Sequence, residues 1–233
     1  MKNLFLISSA INAKHGIYTP RERFVQTAAT CSSIRTYCPD SDIIILDGGV
    51  REISRIHQDQ LYGELGVKEI MSYVNDESIQ KIQQTRNHDI VKNVIEVLMY
   101  KSYYDSVKKF HYNRVFKISG RYQLNANFNV DFHNAAVGKI TIRSPFKSQF
   151  PPEVTGGVTL QYMSRLWSFD SNLLPYIQDL YGRILELMSF RQQNGYIDIE
   201  HSLYALLDKN LVVETPLIGV EGNIAPNGMG VSD

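Results

Sequence analysis

The sequence predicts an α/β domain with a mostly parallel sheet, and three observations predict it. Apolar runs rich in β-branched residues alternate with helix-period segments over roughly the first 120 residues, as they do where helices cover both faces of a sheet. One of those helices carries a complete start signal, Thr19-Pro20-Arg21-Glu22. In the second half the runs shorten, alternate in polarity and are broken by Pro145, Pro151, Pro152, Gly156 and Gly157, as in antiparallel additions to such a sheet. With 233 residues the chain can bury roughly 70–75 % of its unfolded surface, so a single domain over 1–233 is expected to need neither disulfide nor metal.

Leu4 to Ile11 is a short apolar run suited to a strand buried on both faces. After a polar loop, Asn12 to Tyr18, Thr19 serves as N-cap, Pro20 takes the first helical position and Glu22 closes a capping box. Phe24, Ala28, Cys31, Ile34 and Cys38 line one face of this helix, and Pro39 ends it. Asp42 to Asp47 is a strand stopped by Gly48 and Gly49. Glu52–Leu65 reads as helix, Val67–Val74 as strand, and Asp76–Thr85 and Asp89–Phe110 as helices, the last apolar along Val94, Leu98 and Val107. Arg114 to Tyr122 returns to strand. Lys139–Arg143 and Val158–Tyr162 alternate as antiparallel strands, Leu173–Phe190 and Ile197–Lys209 read as helices, and the tail from Gly219 reads as a loop or flexible terminus.

Lys plus Arg and Asp plus Glu number 24 each, which argues against broad capture of nucleic acid or an anionic membrane while leaving room for a local basic pocket. No run of ~18 apolar residues is present to span a bilayer. The apolar start is too short for a signal peptide and runs almost at once into a capped helix, so it reads as a buried first strand and the protein as cytoplasmic. Cys31 and Cys38 fit that setting as buried, reduced thiols in preference to a disulfide. The six histidines are scattered, no Cys or His cluster has zinc spacing, and the P-loop, the Gly-x-Ser-x-Gly elbow and the Gly-x-Gly-x-x-Gly fingerprint are missing.

Ligands of open parallel sheets bind outside the carboxyl ends of the strands. That rule selects Ser8, Ser9 and Ala10, then Asp47, Gly48 and Gly49, then Ser119, Gly120 and Arg121, each also explicable as a tight turn. Asp47 suits a ribose hydroxyl or a ligand base, or equally a cap on the next helix. Arg21 and Arg23 lie in a helical first turn, where the dipole disfavours cations; they suit a phosphate there, or else a solvated face. Strand alternation puts Lys117, Ser119 and Arg121 on one side, so that two cations meet around an anion such as a diphosphate, or around a carboxylate from elsewhere in the fold. Asp198, Glu200 and His201 open a late helix. Glu200 there, or Asp198, is a candidate general base for an acceptor hydroxyl, with His201 a further catalytic candidate beside them and the ordinary dipole partner of a first turn as the alternative for Glu200.

These stretches together resemble the GT-A class of nucleotide-sugar-dependent glycosyltransferases. Phe5-Leu6-Ile7-Ser8-Ser9, Arg21-Glu22-Arg23, Gln26-Thr27, Ser32 to Arg35 and Pro39 to Asp47 resemble its first strand, helix and second strand. Val115 to Tyr122 stands where such enzymes carry the strand ending in Asp-x-Asp, and Ile197 to His201 with Leu203-Tyr204 resembles the late helix facing the acceptor. The resemblance implies a donor-binding half over 1–124 and an acceptor-side half over 125–233, with a nucleotide sugar as co-substrate and a glycan or other hydroxyl compound as acceptor. It departs at the metal motif, where this chain has Ser119-Gly120-Arg121; Asp40-Ser41-Asp42 spells the motif, but at the wrong edge of the sheet. The departure implies a transferase without a metal cofactor, Lys117 and Arg121 neutralising the diphosphate, or a relative that binds without turnover. A nucleotidyltransferase and a non-catalytic carbohydrate-binding or assembly module also remain open.

Overall fold

The computed structural model describes residues 2–85, 88–223 and 228–233, the side chains of 88–90 excepted. Its first half runs β1 (Asn3–Ser9), α1 (Pro20–Tyr37), β2 (Asp42–Asp47), α2 (Arg55–Gly63), β3 (Glu69–Ser72), α3 (Glu77–Gln83), α4 (His88–Ser106), β4 (Arg114–Ser119) and β5 (Tyr122–Leu124). The second half runs α5 (Val130–Ala135), β6 (Ile140–Arg143), β7 (Phe146–Lys147), α6 (Pro152–Thr155), β8 (Leu160–Gln161), β9 (Leu166–Asp170), α7 (Leu174–Arg191), α8 (Ile199–Leu206), β10 (Val212–Thr215), β11 (Val220–Asn223) and β12 (Gly230–Ser232).

The central sheet has seven strands in the order β10-β6-β9-β4-β1-β2-β3. β1 pairs in parallel with β2 and β4, β2 with β3, and β6 with β10; β9 runs antiparallel between β4 and β6. This is the mostly parallel α/β sheet that the alternation predicts. Side chains alternate along each strand, so Leu4 and Leu6 join Val115, Trp167, Tyr100 and Tyr181 on the face covered by α4 and α7. Phe5 and Ile7 join Phe116, Ile118, Cys31 and Ile34 on the face covered by α1. With both faces apolar, the central strands read as continuous hydrophobic runs.

The capping box of α1 is formed as expected: Glu22 N donates to Thr19 Oγ1 at 3.3 Å, and Thr19 N donates to Glu22 Oε2 at 2.7 Å. Its buried face is more polar than the expected apolar stripe, comprising Thr27, Thr30, Cys31, Ser33 and Ile34. The reason is that α1 leans on the turn after β4, where Thr30 Oγ1 donates to Tyr122 O at 2.8 Å. Phe24 instead stacks on the His57 ring, with centroids 3.8 Å apart. Cys31 and Cys38 are buried free thiols; burial pushes Cys31 up to about 12 and Cys38 up to about 11.

Three sequence expectations need correction. Arg114 to Tyr122 is not one strand: β4 stops at Ser119, and β5 enters a second sheet ordered β12-β11-β5. The tail from Gly219 supplies β11 and β12 of that sheet, because the β5 edge offers it backbone partners; its residues 224–227 lie outside the described residues. β9 has no clear polar alternation in Leu-Trp-Ser-Phe-Asp and escapes the sequence reading, yet Trp167 and Phe169 are fully buried between β4 and β6. Among the described residues no helix is long and apolar enough to cross a membrane.

Candidate functional site

The carboxyl ends of β1, β2 and β4 open into one cleft, bordered by Ser8, Ser9, Gly48, Ser119, Gly120 and Arg121. With Ala10, seven of the strand-end residues selected from sequence therefore meet. α1 adds Arg23, Gln26 and Thr27 to the wall, and α4 adds Lys92 and Glu96. The floor is tight. A Cβ at Gly120 would stand 3.0 Å from Thr27 Oγ1 and 3.2 Å from Ser8 O, and one at Gly48 would stand 2.8 Å from the Met99 sulfur. Glycine keeps the strand ends and helices this close, and Gly120 N donates to Ser8 O at 2.8 Å to lock β4 to β1.

Arg23 and Arg121 are the charged pair of the cleft. Burial, and next the charge of Arg121, lower the Arg23 guanidinium from its ordinary value. Among the described residues neither arginine forms an ion pair. Arg23 Nε and Gln26 Oε1 are buried without a hydrogen-bond partner. Like charges held side by side above unsatisfied polar atoms favour an anion between them. Arg21, two residues earlier, is exposed and does not border the cleft, so it takes the solvated-face alternative.

The structure places Lys117 elsewhere. Strand alternation ends at Ser119, so Arg121 turns toward α1 and Arg23, whereas Lys117 points into the opposite layer. Its ammonium is 0 % exposed, 2.5 Å from Glu96 Oε1, and donates to Ser164 O at 2.5 Å. The expected pairing of Lys117 with Arg121 is therefore corrected: Lys117 takes the alternative of a protein carboxylate, and the cation near Arg121 is Arg23. Sequence reasoning missed Glu96. Its signal was a lone carboxylate inside the apolar run Val94-Ile95-Glu96-Val97-Leu98-Met99.

Asp47 is also spent on the fold. Its buried carboxylate accepts from Ile11 N at 2.9 Å and Gly49 N at 3.2 Å, and burial raises its pKa. It ties the loop after β1 to the turn after β2 and does not cap the next helix, whose N-cap is Ser54. Asp42, in the misplaced Asp-x-Asp, accepts from Lys68 at 2.7 Å and Tyr112 at 2.6 Å at the opposite strand edge. Burial works against its ionisation, but these bonds and that from Lys2 hold it down to about 2.

At α8, Asp198 is the N-cap, accepting from His201 N at 2.9 Å, and it also meets His201 Nδ1 at 2.6 Å. His201 Nε2 lies 2.8 Å from Ser148 Oγ, and the ring is fully buried. These contacts tie Asp198 and His201 to each other, to the helix start and to Ser148, and neither residue borders the cleft. Glu200 differs: it is half-buried, and its Oε1 accepts from Ser164 N at 3.2 Å and Ser164 Oγ at 3.1 Å. Burial, and next the charge of Asp198, raise its pKa. Through Ser164, Glu200 stands one residue from the Lys117–Glu96 pair at the cleft.

The end of β4 presents a hydroxyl, a glycine and a cation, a donor set that does not suit a divalent ion. No group of three His, Cys, Asp or Glu side chains able to hold one occurs among the described residues.

Sheet order, the antiparallel β9 and a cleft at the ends of β1 and β4 define the GT-A glycosyltransferase fold. Among solved structures, the chain is similar to the galactosyltransferase LgtC in complex with donor and acceptor sugar analogs (10 % identity, 92 % of this chain, 73 % of that one, TM-score 0.55). It is likewise similar to the mannosyltransferase Ktr4p from S. cerevisiae (9 %, 90 %, 67 %, TM-score 0.60). A third is core-mannan synthase A from Aspergillus fumigatus in an Mn/GDP form (10 %, 95 %, 74 %, TM-score 0.57). No protein-family model matches the sequence, and no curated protein matches it significantly.

Proposed function

We propose that this chain is a glycosyltransferase that moves a sugar from a nucleotide-diphosphate sugar to a glycan or other hydroxyl acceptor, and that it does so without a bound metal. The observation that carries the reading is that Arg23 of α1 and Arg121, just beyond β4, border one cleft and feel each other's charge with no ion pair to either among the described residues, Arg23 Nη2 donating to His15 O at 3.4 Å. As the bond between sugar and diphosphate breaks, negative charge builds on the leaving diphosphate. Two fixed guanidiniums in a partly desolvated cleft stabilise that charge and need no reorganisation to do so. Core-mannan synthase A is described with Mn and GDP, so metal use occurs on this fold; here a cation side chain takes that place. Glu200 is the proposed base for the acceptor hydroxyl, its raised pKa bringing its proton affinity closer to the neutral range. Two buried thiols favour a reducing, cytoplasmic setting.

A thermal-shift screen against UDP- and GDP-sugars, with manganese and with EDTA, tests the proposal. Stabilisation that persists in EDTA is the expected result. No shift with any nucleotide sinks the donor assignment, and a shift that EDTA abolishes sinks metal independence. Glu200→Gln is expected to spare donor binding and cut turnover; undiminished turnover removes Glu200 from the reaction.

A further inference from the structure

Resting on the donor reading above, we infer that Glu96 recognises the hydroxyl groups of the donor's sugar, and that Lys117 is the positioning residue that holds it for that task. Charge enters the cleft from both faces of the sheet, and Lys14 and Lys92 border it as well. Arg23 comes from α1 on one face of the sheet, with Arg121 beside it, while Glu96 comes from α4 on the other face. Among the described residues, Glu96 is the one carboxylate bordering the cleft. A phosphate is attracted to the arginines, while Glu96, its charge matched by Lys117, remains a strong acceptor for hydroxyl donors. A ligand with an anionic end and a polyhydroxyl end is thereby oriented, its hydroxyls against a carboxylate that accepts charge-assisted hydrogen bonds.

The way Glu96 is held supports this role over a purely structural one. Lys117 Nζ lies 2.5 Å from Glu96 Oε1, and Ser8 Oγ donates to that same oxygen at 3.2 Å. Both described partners contact Oε1, and the Glu96 side chain, which borders the cleft, is 22 % exposed against 1 % for Lys117. Lys117 has no such freedom: its ammonium also donates to Ser164 O at 2.5 Å and sits 5.7 Å from the centre of the Tyr100 ring. A buried ion pair is weak as a stabilising device, since apolar residues of similar volume often do as well. This pair keeps a carboxylate at the wall of the site.

Calorimetric titration of UDP, GDP and their sugar conjugates tests the assignment without reference to turnover. The variants are Glu96→Gln and the double variant Glu96→Gln with Lys117→Met, the second leaving no buried ammonium without a partner. Both are expected to bind the nucleoside diphosphate as the wild type does and to lose about 10- to 100-fold in affinity for the nucleotide sugar. If nucleotide sugar and nucleoside diphosphate weaken together, or neither weakens, Glu96 does not recognise the sugar, and the donor reading stands. Wild-type protein that binds none of these compounds overturns the donor reading and the role of Glu96 together.

Discussion

At the start of α8, both ring nitrogens of His201 are taken up by Asp198 and Ser148, and Asp198 in turn caps the helix. In the cleft between β1 and β4, Arg23 Nε and Gln26 Oε1 are buried without a partner, and Arg121 stands beside Arg23 with no carboxylate between them. Both regions put polar side chains into a partly dry interior, where each missing hydrogen bond costs about 1–3 kcal/mol. One region has met that cost internally, and the other has not. The difference separates a polar cluster that supports the fold from one that, on the function proposed above, would bind, although the sequence makes both look like sites. Lys117 and Arg121 repeat the contrast four residues apart: the first is matched by Glu96, the second is left open.

The largest expected effect lies on the matched side. Glu96→Ala strands the Lys117 ammonium under the sheet and is expected to lower unfolding stability by about 3–5 kcal/mol in urea titration, largely recovered by adding Lys117→Met. A small loss in the single variant would show that the pair is not coupled. On the open side, Arg121→Ala is expected to weaken nucleotide binding by about 1.5–3 kcal/mol while the ligand-free melting temperature holds or rises, because a repulsion is relieved. A fall in that temperature with unchanged binding would make Arg121 a structural residue. His201→Ala is expected to reverse this pattern, costing about 1–3 kcal/mol of stability with nucleotide affinity intact.

A pH titration extends the contrast to a second buried histidine. His133 is buried with Nδ1 2.6 Å from Ser168 Oγ; burial, and next the charge of Arg114, lower its pKa to about 3. Its folded value lies below the unfolded value near 6.5, so the unfolded chain binds the proton first. The contribution is fully present above about pH 6.5 and is lost as pH falls from there toward about 3, at a slope of ~1.4 kcal/mol per pH unit. His133→Asn is expected to flatten that slope, and an unchanged slope would assign it to other groups. The smallest effect is at the α1 cap: Thr19→Ala is expected to cost about 1 kcal/mol and leave the cleft's affinity nearly unchanged.

Local chemistry settled much of this protein before any tertiary contact. The capping box at Thr19, Pro20 and Glu22, the β-branched strand from Asp42 to Asp47 and the glycines at strand ends act over a few residues, so the α/β class and the edge that carries the cleft were readable in order along the chain. Short strands were not, since Leu166–Asp170 takes its place only by lying between β4 and β6, and the tail becomes strand only because β5 presents an edge. The same holds for charge. Sequence placed Arg23, Lys117, Arg121, Asp198 and Glu200 near functional positions, but whether each is matched depends on partners far along the chain, such as Glu96 for Lys117 and Ser148 for His201. A charge can be neutralised only by what folding brings within a few ångströms of it, and that distance is a property of the assembled structure.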